Sequence, residues 1–189
     1  MHNTDMKYVV AGIASFVRNA QIKRALQGCD PEPRLNFWRV LYGDCLDMAV
    51  IEWSKLFGSD SRQPVHWKTI IHKDEHDKFR KGLLEAIGIP ESAWQDYWNR
   101  MKGYRDNHAA HFNEEYLRPR NKPRYPDLSV ALEAAYFYYD RLLPLMSDRG
   151  IAHSYPKDIR EYSQRFGAQA RQVATKALAA TADMEERVR

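Results

Sequence analysis

The sequence predicts an all-α protein: an antiparallel bundle of about five or six helices, with two extra helices at the ends. Three observations predict it. Apolar residues recur at steps of three and four in segment after segment. No segment sustains the period-two alternation of a half-buried strand. Glycines and prolines punctuate most of the periodic stretches. No internal repeat occurs, and a length of 189 residues suits one domain, residues 1–189, with a substantial core.

Taken in order, the first helix is expected over about residues 5–26, ending near Gly28. Its run from Tyr8 to Val17 has the length of a signal-peptide core. Asp5 stands where a basic region belongs, and the pattern continues as a polar helix through Arg24, so the run reads as part of an amphipathic helix. It is too short to span a membrane. The expected location is the cytoplasm, with no membrane partner. Pro31 and Pro33 precede a long helix over about 35–57, whose stripe is Trp38, Leu41, Tyr42, Cys45, Ala49, Trp53 and Leu56. Gly58 is expected to end it in a left-handed conformation.

His66-Trp67 opens a short helical piece, and residues 74–87 form a further helix with Phe79, Leu83, Leu84 and Ile87 inward. Gly88 stops it, and Pro90 with Glu91 starts the best amphipathic helix of the chain, expected over about 90–111. A long connection follows, with Pro119, Pro123 and Pro126. Asp127 then caps a helix carrying Leu128, Ala131, Leu132, Ala135, Tyr139 and Leu142, which Pro144 must kink or end. The last helix spans about 156–184, with Ile159, Phe166, Ala170, Val173 and Ala177 on a narrow face.

Charge and cysteines bound the function loosely. The formal net charge of +4 comes from 29 basic against 25 acidic residues, which permits a polyanionic partner without requiring one. Cys29 and Cys45 make no disulfide framework and suit a reducing compartment. There is no phosphate-binding glycine loop and no serine nucleophile elbow.

The chemistry concentrates at the end of the 90–111 helix. Trp94, Trp98, Met101, Arg105 and His108 share one helical face, which changes from apolar to a guanidinium and an imidazole. His111 lies six positions beyond Arg105, about 120° around a regular helix. The two cannot converge on one small target within such a helix, so either the helix ends between them or a second copy of the chain completes the site.

Arg105, followed by a polar residue and then by His111 after five intervening positions, resembles the R-x(4–6)-H signature of the HEPN superfamily. The fuller run Tyr104-Arg105-Asp106 to Ala110-His111 looks like its abortive-infection branch. So do Leu35-Asn36-Phe37-Trp38-Arg39, the run from Glu52 to Gly58, and His66-Trp67. The resemblance covers roughly residues 35–112 and leaves the 156–184 helix outside it. It implies a homodimer with two copies of the motif meeting at a two-fold axis, and metal-independent RNA cleavage giving a 2′,3′-cyclic phosphate. It further implies a role in phage defence or as the toxin of a toxin–antitoxin pair, with an antitoxin protein as a further partner and no cofactor.

On that reading Arg105 holds the scissile phosphate, which a planar fork of donors suits. His111 acts as acid or base, Asp106 orients them, and His108 assists. Asp106 stands where many relatives carry Asn, which adds a charge beside the histidine. The plainer reading has Arg105 paired with Asp106 or another carboxylate at the core edge, and His111 as a favourable charge at a helix end. Arg118, Arg120, Lys122 and Arg124, flanked by Tyr116 and Tyr125, are either a solvated loop or an RNA-tracking segment with tyrosines for stacking.

His72 with His76 and His108 with His111 have metal-compatible spacings, but neither pair has further ligands nearby in sequence, so no metal is expected. The alternative function is a HEPN-like helical module that binds RNA, a nucleotide or a protein partner and cuts nothing. A third reading is a purely structural interaction protein.

Overall fold

The computed structural model describes residues 3–29, 34–59, 63–110, 114 and 125–184. It is an all-α bundle with no strand among the described residues. The helices are α1 (Asn3–Gln27), α2 (Asn36–Phe57), the single turn α3 (Trp67–Ile70), α4 (His76–Ile87), α5 (Glu91–Tyr104), α6 (Ser129–Asp148) and α7 (Ile159–Ala180). A 3-10 turn (Lys73–Glu75) precedes α4, and a π-helical turn (Arg105–Ala109) continues α5.

The terminal helices are not extras. α1 lies at the centre, packed against α2, α6 and α7. Met6, Val9, Val10, Ile13, Phe16 and Val17 are fully buried, at steps of three and four that keep them on one broad face. Burial of each such large side chain contributes about 1.5–3 kcal/mol, so six of them on one face hold α1 at the centre of the bundle.

The tryptophan stripes are core, as their periodicity indicates. Trp53 packs against Phe57, Trp94 and Tyr97, and Phe57 continues to Tyr138 and then Phe79. Trp67 stacks on Phe79 with centroids 4.7 Å apart. A smaller cluster at the other end joins Ala25 and Leu26 of α1, Trp38 of α2, and Ala174 and Leu178 of α7. There the Trp38 indole donates to Thr181 Oγ1 at 3.1 Å.

Two local expectations change. Gly58 is not left-handed: its φ is −74° and its ψ −136°, outside both helical regions. Glycine is needed there because a Cβ would lie 2.4 Å from the Ser54 carbonyl oxygen. Gly88, by contrast, ends α4 with φ 74° and donates its N–H to the Leu84 carbonyl at 2.9 Å. On α7, Val173 is 59% exposed, while Ile159, Ser163, Ala174 and Leu178 are buried. The small residues Ser163 and Gly167 set that face: a Cβ on Gly167 would come within 2.7 Å of Gln21 Oε1, and Gln21 Nε2 donates to Ser163 Oγ. Close approach of α1 and α7 therefore turns the bulkier Val173 outward. Of the two outcomes expected at Pro144, a kink or an end, the end does not occur: α6 runs through it to Asp148.

Asp127 does serve the start of α6. Its Oδ1 accepts from the Ser129 backbone N–H at 3.1 Å and from the Ser129 hydroxyl at 2.9 Å, although the capping position itself is Leu128. His66 caps α3: Nδ1 accepts from the Lys68 N–H, so Nε2 carries the proton it gives to the Gly58 carbonyl at 3.1 Å. That buried imidazole ties the α2 terminus to the next turn.

Candidate functional site

The segment singled out by sequence begins where α5 changes register. α5 buries Tyr97, Met101 and Tyr104, with Trp94 and Trp98 packed partly buried against the core. The Trp98 indole donates to the Phe57 carbonyl, which fixes α5 on the end of α2. From Arg105 to Ala109 the chain winds as a π-helix, and the Ala110 N–H donates to the Arg105 carbonyl at 2.8 Å. One residue is thus added to the turn, so the expected regular helix to His111 does not occur. The single stripe from Trp94 to His108 is broken at the same point: Met101 is buried, Arg105 is half-buried, and His108 is exposed.

Two side chains hold the wide turn. Asn107 Nδ2 donates to the Gly103 carbonyl at 2.8 Å. The Tyr104 hydroxyl donates to Asp47 Oδ1 on α2 at 2.7 Å. Burial, followed by the hydrogen bond and negative charge of Asp47, pushes the Tyr104 phenol well above its ordinary range, so it is a fixed donor. The Tyr104 ring also faces His108, with centroids 4.9 Å apart, and Tyr125, at 6.1 Å.

Arg105 and Asp106 are brought together. Arg105 Nε donates to Asp106 Oδ1 at 2.7 Å, the guanidinium adds a second contact through its terminal nitrogen, and Lys102 Nζ reaches Asp106 Oδ2 from one turn back. Burial opposes ionisation of Asp106, but the hydrogen bonds and charges of Lys102 and Arg105 outweigh it and hold the carboxyl below its ordinary range. One carboxylate therefore braces two cations, all three side chains being about one-quarter to two-fifths exposed. This pairing is the plainer reading of Arg105 realised in the folded chain.

The remaining predicted residues are divided. His108 is exposed beside Tyr104. His111, Arg118, Arg120, Lys122 and Arg124 lie outside the described residues. The flanks of the segment 111–124 are described, however: Ala110 closes the π-turn, and Tyr125 sits against Tyr104, 62% exposed. Ala110 and Tyr125, which flank positions 111–124 in sequence, thus both lie at the π-turn or beside Tyr104.

Sequence reasoning missed Lys102, Asp47, Tyr104 as an anchor, and Tyr125 as a neighbour. Lys102 and Asp106 stand four apart on a helix, a readable ion-pair spacing. Asp47 is separated from Tyr104 by 57 positions and carries no local signal.

The histidine pair His72 and His76 does not share a helix, because the 3-10 turn intervenes. His72 Nδ1 accepts from the Asp74 N–H, and His76 Nε2 faces the Lys68 and Ile71 carbonyls. Among the described residues no group of three or more His, Cys, Asp or Glu side chains is arranged to hold a metal ion. Cys29 and Cys45 are free thiols, Cys45 buried. Among the described residues no helix is long and apolar enough to cross a membrane. No known protein family, curated protein or solved structure matches the chain.

Proposed function

We propose that the chain is a metal-independent endoribonuclease of the HEPN type, working in the cytoplasm as a homodimer in phage defence or as the toxin of a toxin–antitoxin pair. The observation that carries this reading is the Lys102–Asp106–Arg105 cluster on a π-helical turn, beside the exposed His108. Such wide turns occur frequently at functional sites. Two cations sharing one carboxylate can exchange it for a phosphate, because a guanidinium fork fits either partner. The position of Ala110 and Tyr125 at the same site supports a contribution of the basic segment to RNA binding.

In this reading His111 takes the proton from the ribose 2′-OH. The 2′-oxygen attacks phosphorus, the bond to the 5′-oxygen breaks, and that oxygen leaves protonated by an imidazole acid. The products are a 2′,3′-cyclic phosphate and a 5′-OH end. Arg105 bears the charge that builds on the phosphorane oxygens, and Asp106 orients it. A second copy of the chain supplies the other motif at the cleft, since C2 pairing is the commonest closed assembly.

A second reading has an observation of its own. The Arg105 fork is already engaged by Asp106, which suits a HEPN-like module that binds RNA, a nucleotide or a protein partner without cleavage. Incubating the purified chain with single-stranded RNA in EDTA separates the two. Cleavage to cyclic-phosphate ends, lost in Arg105→Ala and absent on DNA of the same sequence, upholds the nuclease. Tight RNA binding with the strand left intact upholds the module.

A further inference from the structure

Away from the π-turn, one face of the hub helix is left uncovered among the described residues. Most of α1 is sheathed by α2, α6 and α7, but Ala11, Gly12 and Ser15 form the floor of an open cleft of about 570 Å³. Its walls are Glu52, Lys55 and Leu56 of α2, the segment Gln63-Pro64-Val65, and Tyr155 from the connection between α6 and α7. That volume falls within the range of small-molecule sites. The side chains at its two ends are long: Tyr8 at one, Arg18 at the other.

The chemistry of the walls is specific. Glu52 accepts from Lys55 Nζ at 3.0 Å through Oε1, and its Oε2 lies over Gly12, at 3.6 Å from where a Cβ would stand. The Glu52 side chain is 15% exposed, so it is a brace inside the wall, whereas the Lys55 side chain is 44% exposed. Arg18 is exposed and makes no ion pair among the described residues. Two cations against one carboxylate leave a formal surplus of one positive charge among the described lining residues. Tyr8 is 63% exposed, an unusual display for a large aromatic ring one turn from residues that are fully buried. Tyr155, half-buried, faces the same space.

We propose that this cleft binds a phosphorylated nucleoside, with the phosphate at Arg18, the Lys55 ammonium along the wall, and the base against Tyr8 and Tyr155. A planar guanidinium at one end suits a phosphate, and the Lys55 ammonium, held by Glu52 opposite Gly12, adds positive charge along the wall. The exposed Tyr8 ring at the other end stacks on any nucleobase, the half-buried Tyr155 ring lines the same space, and the Gln63 amide supplies both a donor and an acceptor for a base edge. The small floor residues are what this occupant needs, since any longer side chain at Ala11, Gly12 or Ser15 would fill the space. The proposal does not depend on the reading of the Arg105 site.

The test is titration of the full chain with each of the four 5′-ribonucleoside monophosphates, with inorganic phosphate, and with a 5′-phosphorylated trinucleotide, followed by calorimetry and by amide NMR shifts. At least one monophosphate or the trinucleotide is expected to bind and to shift the amides of residues 11–18 and 52–56. Preference for the monophosphate marks a free nucleotide, and preference for the trinucleotide marks a strand end. Arg18→Gln should weaken binding about tenfold or more, equivalent to one lost charge-assisted contact. Tyr8→Ala should weaken nucleotide binding while leaving weak inorganic phosphate binding unchanged. Both side chains are exposed, so the folded state survives either change, which a melting curve verifies. No saturable binding of any nucleotide up to several millimolar, or equal affinity in wild type and Arg18→Gln, would overturn the proposal. So would amide shifts confined to the Arg105 turn.

Discussion

The Tyr104 hydroxyl donates to Asp47 Oδ1 across 2.7 Å, and this one contact ties the residue that precedes the π-turn to the middle of α2. Tyr104→Phe removes the donor and leaves a partly buried carboxylate short of a partner. A hydrogen bond of this kind contributes about 1–2 kcal/mol, and the loss should appear in chemical denaturation. Asp47→Asn keeps an acceptor and should cost less. Equal stability of Tyr104→Phe and wild type would show that the wide turn holds without α2.

Acid should act on this turn through Asp106. Its carboxyl lies below its ordinary range in the folded state, so its contribution is fully present above the unfolded carboxylate pKa and is lost as pH falls through the lowered folded value. Asp106→Asn should therefore lower the melting temperature near neutral pH, and the gap to wild type should close at the acid end. A gap that stays constant down to the lowest pH at which the protein folds would remove the ionic account of the cluster.

Two glycines that look alike in sequence should respond differently. Gly88→Ala meets only the cost of a left-handed φ, about 1 kcal/mol. Gly58→Ala drives a Cβ into the Ser54 carbonyl, at the point where His66 also holds the chain, and should cost about 2 kcal/mol or more. Comparison of the two denaturation midpoints checks the order.

Catalysis, on the proposed function, should fail in a non-additive way. Loss of a general acid–base group costs about 10²–10⁴ in rate. Loss of one donor to developing oxyanion charge costs about 10²–10³. His111→Ala and Arg105→Ala act on the same phosphorane, so the double variant should be little worse than the poorer single one. Rate constants and melting temperatures taken on the same preparations decide: single variants that cut RNA like wild type, or that lose rate only as they unfold, would dismiss the pair.

Neutralising Arg118, Arg120, Lys122 and Arg124 together should flatten the salt dependence of RNA binding, since each phosphate contact contributes about 0.7 to the log–log slope on single strands. The single-turnover rate at saturating RNA should change little. An unchanged slope would return these cations to the role of a solvated loop.

The fold was legible wherever periodicity decided burial. In the stripe Trp38, Leu41, Tyr42, Cys45, Ala49, Trp53 and Leu56 all but Leu41 and Tyr42, which are partly buried, are buried as the spacing requires, and Gly88 stops its helix for the expected reason. Periodicity fails where small residues choose the face, as on α7, because Ser163 and Gly167 permit an approach that a hydrophobic stripe does not encode. It also fails at Gly58, where one residue type serves two different backbone needs. At the site, Arg105 with Asp106 could be read from adjacency, whereas the π-turn and the Asp47 anchor could not. The extra residue in a turn leaves no pattern in composition, and Asp47 reaches Tyr104 only through the tertiary packing of α2.

The central place of α1 also sets a timetable for synthesis. Its apolar side finds α2 as soon as that helix emerges, but α7 begins about 130 residues after α1 ends. At ribosomal speeds of roughly 5–20 residues per second, that interval is on the order of ten seconds. Through that time a nascent helix with six fully buried-to-be apolar side chains lacks one of its native neighbours. Until α7 is made, the side of α1 that it covers stays open, so slower translation of the stretch before α7 should increase aggregation of newly made chains.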